Sequence, residues 1–436
     1  MNPPVRSEPP DGGWGWMIAL AAFLQTALVF GVIRSFGVFF VEFTVHFEQP
    51  STAVSWISSV TVAVLMFTSP LSSALGAQYG ERPVGVVGGL LSGLGLFLAS
   101  FATSLAQLYL FIGLFTGVGG ALIFSPSLAL VAQYFQRRRA LANALVFSGT
   151  GISALAFSPL FQFLVDSYGW RGALLIVSGM AFHLVACGAL LRPLPSAKNN
   201  SSVAPEWESQ WSRLASLFGL SLLHHRAFMT FCGSGVLITA GYFMPFVHLV
   251  PYARETGFDE YQAAFLLSAV GIADIAGRLI AGWLADCAPL RLVYHLTLWT
   301  LLTGIVLLMM PLGHTYTLMV ALSIGYGFLA SAIIPLKFST LMDIVGTEQI
   351  MGAIGLIHLM ESFGALAGPP LSGWIRDATG SYRASFLAAG AILIAGALAL
   401  VALPNYLPSL PTASLKQSKE PNPSPTEDRG CRAEQS

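Results

Sequence analysis

The chain has 436 residues and a formal net charge of zero, with 55% hydrophobic and only 10% charged residues. Soluble domains carry roughly 25% charged residues, so a soluble protein of this length could not cover its surface with so few charges. The composition predicts a membrane protein. The absence of a basic excess argues against nucleic acid as a partner.

A helix needs roughly 20 mostly apolar residues to cross the hydrocarbon core of a bilayer. Twelve stretches of the chain meet this requirement. They lie at residues 14–40, 53–76, 83–104, 107–133, 140–165, 172–192, 228–252, 262–283, 290–311, 316–340, 350–374 and 384–404. The sequence therefore predicts an all-α membrane protein in which each apolar stretch is a spanning helix.

The twelve stretches fall into two groups of six. The start of the chain, residues 1–13, is polar and lacks the apolar core of a signal peptide. We expect a six-helix bundle over residues 14–192, a polar linker over 193–226 and a second six-helix bundle over 227–406. The tail over residues 407–436 has the Ser, Pro and charged composition of disordered chain.

The positions of Lys and Arg predict which loops face the cytoplasm, because cytoplasmic loops are enriched in these residues. With both termini inside, the inner segments carry most of them, including the run Arg137–Arg139. The outer loops carry only Arg171, Arg254, Arg376 and Arg383. Both termini and the linker are therefore predicted to be cytoplasmic.

Two loop segments of the chain resemble each other. PLFQFLVDSYGWR begins at Pro159 and PLSGWIRDATGSYR begins at Pro370, and Asp166 and Asp377 lie at an offset of 211 residues. A parallel repeat of this kind places a substrate site between two related halves, near the bilayer midplane. The sequence thus predicts two six-helix bundles related by pseudo-two-fold symmetry, unless the similarity of these short loops is due to chance.

The eighth stretch contains the strongest candidate site, Asp274 and Arg278. A spacing of four residues places both side chains on one face of a helix. Ionisable groups inside a span are costly and are functional hypotheses by default. We predict that Arg278 binds an anion and that Asp274 takes part in proton coupling. The alternative is a structural ion pair that packs two helices together.

Three other charged side chains lie inside predicted spans, away from the residues at the span ends. Arg34 is expected in the outer half, where it either attracts an anionic substrate or extends to the outer interface. Lys337 is expected to extend to the cytoplasmic interface. Glu361 is interpreted either as a second proton-coupling carboxyl group or as a hydrogen-bonded structural group.

The seventh stretch combines aromatic residues with a proline in the run AGYFMPFVHL. Proline is tolerated in a membrane helix where the freed backbone faces protein or a cavity. Tyr242, Phe243 and Phe246 are therefore candidates to line a binding pocket, and simple packing is the alternative.

The sequence contains no phosphate-binding loop, nucleophile–base pair or metal-ligand cluster that we recognise. It therefore predicts neither an ATP-driven pump nor an enzyme. No cofactor and no metal are expected.

Two motifs resemble signatures of the monocarboxylate porter family of the major facilitator superfamily. DGGWGW leads into the first stretch, and YFQRRRALANAL leads into the fifth. The signature residues are Asp11, Gly12, Trp14, Trp16, Tyr134, Phe135 and Arg138. The run around Asp274 and Arg278 and the run GPPLSGWIRDATGSY extend the resemblance to residues 10–404, essentially the whole folded part.

The resemblance implies the twelve-helix fold and the proton-linked symport of lactate, pyruvate or ketone bodies across the plasma membrane by alternating access. Asp274 would take the proton and Arg278 would hold the carboxylate. The implied partners are a small monocarboxylate, a proton, the lipid bilayer and a single-pass immunoglobulin-type glycoprotein, basigin or embigin. The Golgi membrane is the alternative location.

Arg34 departs from the family pattern, which has a lysine in the first span. A desolvated lysine can release its proton and an arginine cannot, so coupling would have to rest on Asp274. The loop GAQYGERP from Gly76 also lacks the acidic residue usual in the superfamily. Two other functions stay open: a proton-independent carrier of another organic anion or aromatic substrate, and a transport-inactive interaction protein.

Overall fold

The computed structural model describes residues 12–135, 139–192, 220–287, 291–345 and 350–403. Nearly all of these residues are helical, and no strand occurs within these ranges. The prediction of an all-α protein is confirmed.

The first half of the chain forms long apolar helices with two irregular spans. The elements are α1 (Trp14–Arg34), α2 (Phe36–Phe47), α3 (Ser51–Tyr79), α4 (Glu81–Ala99), α5 (Leu105–Leu108), a π-helical segment (Tyr109–Thr116), α6 (Gly117–Tyr134) and α7 (Arg139–Leu190). The first predicted span consists of α1 and α2, which are interrupted at Ser35. The fourth combines α5, the π-helical segment and α6.

The second half begins with a short 3-10 turn, Leu220–His224, and repeats the pattern of long helices. The helices are α8 (Arg226–Glu255), α9 (Glu260–Cys287), α10 (Leu292–Met309), α11 (Tyr316–Ala330), α12 (Ile333–Val345), α13 (Ile350–Thr379) and α14 (Tyr382–Val401). The tenth predicted span consists of α11 and α12.

Ten helical segments in the described parts of the chain are long and apolar enough to cross a membrane. One of them, Leu145–Leu190, covers most of both the fifth and the sixth predicted spans. The chain turns between these two at Gly169, whose φ of 67° suits a glycine. Helix α13, with 30 residues, supplies the eleventh span. These segments account for the twelve predicted spans.

The two halves pack against each other through several helix pairs. Helix α3 packs against α13, α7 packs against α9, and α2 packs against α8. The axes of α7 and α9 come especially close where Gly151 faces Gly271, because a methyl group at Gly271 would lie 2.6 Å from the carbonyl oxygen of Gly151. Small residues permit such close helix contacts in membranes.

A carboxylate joins the two halves at the predicted extracellular end. Asp377, in the last turn of α13, accepts hydrogen bonds from the backbone nitrogens of Ser51 and Thr52, at 3.0 and 2.8 Å. It also accepts a hydrogen bond of 2.6 Å from the Thr52 hydroxyl. Backbone N–H groups in the first turn of a helix have no partner within the helix. A residue of the second half therefore caps α3 of the first half.

A related contact occurs where the sequence repeat predicts it. Asp166, the counterpart of Asp377, accepts a hydrogen bond of 2.9 Å from Nε2 of Gln162. The same amide lies 3.3 Å from Oε2 of Glu260, at the start of α9. Both aspartates thus lie beside the first turn of a helix from the other half, which agrees with a pseudo-two-fold relation.

Polar contacts between the halves are unevenly distributed. In the described parts of the chain, they occur at the predicted extracellular end and in the centre of the molecule. The described residues form no hydrogen bond or ion pair between the halves at the predicted cytoplasmic end. The structure is therefore closed at the predicted extracellular end.

Candidate functional site

Arg34 lies inside the molecule, at the last residue of α1. Its side chain is 3% exposed, and its Nη2 donates a hydrogen bond of 2.9 Å to the hydroxyl of Tyr242 in α8. Its guanidinium lies 4.9 Å from the centre of the Phe246 ring, within the range of a cation–π interaction. The alternative in which Arg34 extends to the outer interface is wrong, because its side chain is directed between the two halves.

Asp274 and Arg278 are in contact on one face of α9, as their spacing predicts. Nε of Arg278 lies 3.0 Å from Oδ2 of Asp274, and Nη2 lies 3.2 Å from Oδ1. Nη1 of Arg34 approaches Oδ1 of Asp274 to 3.4 Å from the other half of the chain. We call Arg34, Asp274 and Arg278 the central cluster. It contains two cations and one anion, and it spans the interface between the halves.

Thr150 in α7 completes this arrangement, and sequence reasoning had not identified it. Its hydroxyl accepts a hydrogen bond of 3.0 Å from Nη2 of Arg278 and lies 3.4 Å from Oδ2 of Asp274. The close approach of Gly151 and Gly271 brings α7 near enough to α9 for this contact. The run Gly149–Thr150–Gly151 is the signal that could have pointed to it, since a hydroxyl between two glycines can face a neighbouring helix closely.

A small cavity lies between the halves beside the central cluster. Its volume is about 10 Å³, room for about one water molecule. Its lining residues are Ile33, Ser58, Ser59, Val62, Phe243, Phe246, Val247, Ala365 and Pro369. Phe246 links the cavity to the central cluster, because its ring also faces Arg34. Of the three aromatic residues predicted to line a pocket, Phe243 and Phe246 line this cavity, and Tyr242 binds Arg34.

Lys337 and Glu361 form a buried ion pair within the second half. Nζ of Lys337 lies 2.8 Å from Oε1 and 2.6 Å from Oε2 of Glu361. The side chains are 8% and 0% exposed, respectively. The prediction that Lys337 extends to the cytoplasmic interface is therefore wrong. The partner that Lys337 finds in α13 neutralises its charge inside the protein, so the side chain need not reach water.

The signature motifs meet at the predicted cytoplasmic end, away from the central cluster. Nε1 of Trp14 donates a hydrogen bond of 3.4 Å to the carbonyl oxygen of Leu190. The ring of Trp16 packs edge-on against Phe135, with 4.9 Å between centroids. The Tyr134 hydroxyl donates a hydrogen bond of 2.9 Å to the carbonyl oxygen of Arg192.

These contacts tie the start of α1 to the end of α6 and the end of α7. Gly12 lies directly before α1. Gly15 allows the Phe135 ring to pack closely against α1, because a methyl group at Gly15 would lie 3.2 Å from the ring. Asp11 and Arg138 lie outside the described residues. The described signature residues thus hold helix ends together.

Sequence comparison identifies the family. A family model described as Major Facilitator Superfamily matches residues 18–286 and 227–430. Monocarboxylate transporter 13 of Bos taurus is 51% identical over 401 residues, which cover 92% of each chain. The chain belongs to the monocarboxylate porter family of this superfamily. The family consists of membrane transporters and not of enzymes, so the chain is a multi-pass membrane transporter.

Other relatives agree with this assignment. Monocarboxylate transporter 11 of Mus musculus is 42% identical over 413 residues, covering 93% of this transporter and 91% of the relative. Monocarboxylate transporter 2 of Homo sapiens is 35% identical over 416 residues, covering 92% and 87%.

The fold also resembles a solved structure. The crystal structure of a POT family transporter in complex with 5-aminolevulinic acid has a TM-score of 0.72 at 16% identity. It covers 92% of this chain and 99% of that one. The predicted twelve-helix major facilitator fold is confirmed.

Proposed function

We propose that this transporter carries short monocarboxylates such as lactate, pyruvate or ketone bodies together with a proton, by alternating access. The names of its relatives support a monocarboxylate as the substrate class. The two bundles, residues 14–192 and 227–406, would be the bodies that move against each other around a central site.

The observation that carries the proposal is the charge of the central cluster. Two guanidinium groups face one carboxylate in a nearly dry site between the halves. The excess positive charge favours an anion, and the guanidinium geometry suits a carboxylate. Nη1 of Arg34 forms an ion pair of 3.4 Å with Oδ1 of Asp274 but makes no hydrogen bond with any described residue. A substrate carboxylate that replaced Asp274 there would accept a hydrogen bond from it.

Asp274 occupies the guanidinium groups that a substrate carboxylate would need. A substrate that displaces it gains the same kind of charge-assisted hydrogen bonds from Arg278 and Arg34. The apolar cavity beside Phe246 would then receive the hydrocarbon part of the acid. Since the cavity holds only about one water molecule, even a short tail would require the halves to move apart.

A proton accepted by a buried carboxylate would compensate the charge of the incoming anion. Two such carboxylates are available in spans, Asp274 in the central cluster and Glu361 beside Lys337. Arg34 cannot take this role, because a guanidinium stays protonated in proteins. These two carboxylates are therefore the candidates for proton coupling.

We also propose plasma-membrane residence with both termini cytoplasmic, and the Golgi membrane is the alternative. The distribution of Lys and Arg supports this orientation. An ancillary single-pass immunoglobulin-type glycoprotein, basigin or embigin, is the partner that the family resemblance supports. Co-expression with either glycoprotein should increase the surface level of the transporter if this part of the proposal is right.

Uptake of radiolabelled pyruvate tests the proposal. Cells that express the transporter should accumulate pyruvate faster when the outside is acidified, and a protonophore that collapses the gradient should abolish the increase. The surface level is measured by biotinylation in the same cells. Absence of uptake at a normal surface level would contradict the proposal and favour a transport-inactive interaction protein.

A proton-independent carrier of another organic anion or aromatic substrate is the second candidate. Arg34 in place of the family's lysine and the phenylalanines in the cavity wall favour it. This candidate predicts uptake that does not change when the pH gradient is imposed. A panel of aliphatic and aromatic carboxylates, measured with and without the gradient, separates the two.

A further inference from the structure

We infer that Ser59 in α3 selects acids that carry an oxygen on carbon 2, the 2-oxo and 2-hydroxy acids, by donating a hydrogen bond to that oxygen. This inference rests on the proposed transport of short monocarboxylates and specifies how the same site would distinguish among them. Arg34 and Arg278 would hold the carboxylate, and Ser59 would bind the oxygen on the neighbouring carbon.

The hydroxyl of Ser59 is buried without a partner. The residue is 1% exposed, and its Oγ makes no hydrogen bond with any described residue. A buried polar group without a partner costs free energy, and most such groups in folded proteins are paired. A ligand that brings an oxygen to this position would supply the missing partner.

Ser59 lines the small cavity beside the central cluster. Apart from Ser58 and Ser59, the residues that line this cavity are apolar. The hydroxyl of Ser58 donates a hydrogen bond of 3.1 Å to the carbonyl oxygen of Ser55 in its own helix. Among the described residues that line the cavity, Ser59 therefore offers the one side-chain donor that has no acceptor.

The cavity adjoins a residue that would bind the carboxylate. Ile33 in the cavity wall directly precedes Arg34 in the chain. The ring of Phe246, also in the wall, has its centre 4.9 Å from the guanidinium carbon of Arg34. Carbon 2 of an acid is bonded directly to the carboxylate carbon. An oxygen on carbon 2 is therefore the first polar group that would enter the cavity.

Ser59 and Arg34 belong to the same half of the transporter. Helices α1 and α3 lie in the first bundle, which would move as one body when the halves separate. The spacing between Ser59 and Arg34 would therefore persist in a state open enough to admit a substrate. Phe243 and Phe246 lie on α8 in the second half and would move away.

The chemistry of a serine hydroxyl fits both kinds of acid. The hydroxyl can donate one hydrogen bond, and the 2-oxo oxygen of pyruvate and the 2-hydroxyl oxygen of lactate can each accept it. Propionate has a methylene group at this position and would leave the hydroxyl of Ser59 unpaired. A site that hydrogen-bonds a substrate group disfavours the analogue that lacks it, because the buried polar group of the site then has no partner.

A purely structural role for Ser59 makes a different prediction. Serine is common at close helix contacts in membranes because it is small, and α3 packs against α13 of the other half. Alanine would serve that role equally well, and removal of the hydroxyl would then affect all acids alike or none of them. The relative affinities for two matched acids therefore separate the two roles.

Competition in liposomes that contain the purified full-length protein tests the inference. A trace of radiolabelled pyruvate is taken up in the presence of unlabelled pyruvate or propionate, which differ only in the oxygen on carbon 2. Because the label is far below saturation, the concentration that halves its uptake reports the affinity of each competitor. For the wild type, this concentration should be about fivefold lower for pyruvate than for propionate, as expected for one net hydrogen bond.

The variant Ser59→Ala should lose this preference. Its half-inhibitory concentration should rise about fivefold for pyruvate and stay within about twofold of wild type for propionate. Ser92→Ala is the matched control. Ser92 in α4 is 2% exposed and its Oγ also has no partner among the described residues, but it does not line the cavity. This control should keep the wild-type preference, and thermal unfolding of both variants should match the wild type because neither loses a hydrogen bond.

The outcomes separate this inference from the proposed function. If Ser59→Ala keeps the wild-type preference or weakens both acids equally, the inference is wrong and the proposed function stands. Loss of the preference in Ser92→Ala, or lowered thermal stability of Ser59→Ala alone, also contradicts the inference, because the hydroxyl would then act through the fold. Wild-type protein that transports pyruvate but binds both acids equally overturns the inference alone. Wild-type protein that transports no pyruvate removes the proposed function and the inference with it.

Discussion

At the scale of single residues, Arg278 makes the most specific contacts of the candidate site. Its Nε and Nη2 donate hydrogen bonds to Asp274, and Nη2 also donates one to the hydroxyl of Thr150. A lysine keeps the positive charge, but its single ammonium nitrogen cannot donate to Asp274 and Thr150 from two separate nitrogens as the planar guanidinium does. Arg278→Lys should therefore lower pyruvate uptake by more than about tenfold at an unchanged surface level.

Radiolabelled uptake and surface biotinylation measure this prediction. The matched control is Arg254→Lys, because Arg254 is partly exposed at the predicted extracellular end and pairs only with Glu260 among the described residues. We expect the control to keep near wild-type uptake, since exposed ion pairs contribute little. Normal transport by Arg278→Lys would show that the carboxylate binds elsewhere.

The Thr150 hydroxyl should contribute to substrate affinity through Arg278. Thr150→Val removes the acceptor at nearly constant volume, so the donor of Arg278 loses its partner in α7. A lost hydrogen bond of this kind costs about 1 kcal/mol, which corresponds to roughly a fivefold increase in KM for pyruvate. Thr150→Ser keeps the hydroxyl and should restore the wild-type KM. Equal KM values for the valine and serine variants would contradict this role.

At this scale, the sequence predicted which side chains belong to the candidate site better than it predicted which residues they contact. The spacing of Asp274 and Arg278 was enough to predict their contact, because four residues make one helical turn. The bond between Arg34 and Tyr242 joins residues 208 positions apart. That contact depends on how α1 and α8 are rotated, which a local pattern does not encode. Lys337 was placed at the interface for the same reason.

At the scale of helices, the contact between α7 and α9 positions the central cluster. A methyl group at Gly271 would meet the carbonyl oxygen of Gly151 at 2.6 Å and the backbone nitrogen of Leu155 at 2.8 Å. Backbone atoms cannot move aside as a flexible side chain can. Gly271→Ala should therefore force the helices apart and destabilise the protein by about 1–3 kcal/mol.

Thermal unfolding of the purified transporter and pyruvate exchange both report on this change. Gly282→Ala is the matched control on the same helix, because a methyl group there meets no atom within 4 Å. It should leave transport unchanged and raise stability slightly, by at most about 1 kcal/mol, since alanine favours a helix over glycine. A Gly271→Ala variant as stable as Gly282→Ala would mean that the two helices are not in close contact.

Sequence reasoning at this scale located the helices well and their irregularities poorly. Hydrophobic length alone identified twelve spans, because a bilayer fixes how many apolar residues a helix needs. It did not predict the interruption at Ser35 or the π-helical segment Tyr109–Thr116. Such local departures depend on packing with other helices. The break at Ser35 matters for the site because Arg34 lies directly before it.

At the scale of the whole molecule, the predicted extracellular end is closed by contacts between the halves. Asp377 accepts three hydrogen bonds from the first turn of α3, and Gln162 reaches Glu260 on the other side. Alternating access requires that this end open in another state. The repeat in the sequence predicted the two related halves, but it did not predict the contacts that close the predicted extracellular end.

Removal of the Asp377 carboxylate should shift the transporter toward a state open at the predicted extracellular end. Asp377→Ala deletes the cap of α3 in the closed state only, and lost helix caps cost about 0.5–2 kcal/mol. Each 1.4 kcal/mol is about tenfold in the ratio of open to closed molecules. The cavity residue Ser58 should then become more accessible from outside.

A reporter cysteine measures this shift directly. With Ser58→Cys in the background, a membrane-impermeant thiol reagent added outside should label Asp377→Ala up to about tenfold faster than the transporter with Asp377 intact. Asp259→Ala is the control, because this carboxylate lies at the same end of the molecule. Among the described residues, it accepts a hydrogen bond only from the backbone nitrogen of Tyr261, which belongs to the same half. Equal labelling of both variants would show that the Asp377 contacts do not hold the halves together. Faster labelling only after Asp377→Ala would establish that a cap between halves, and not the charge of the surface, keeps this end closed.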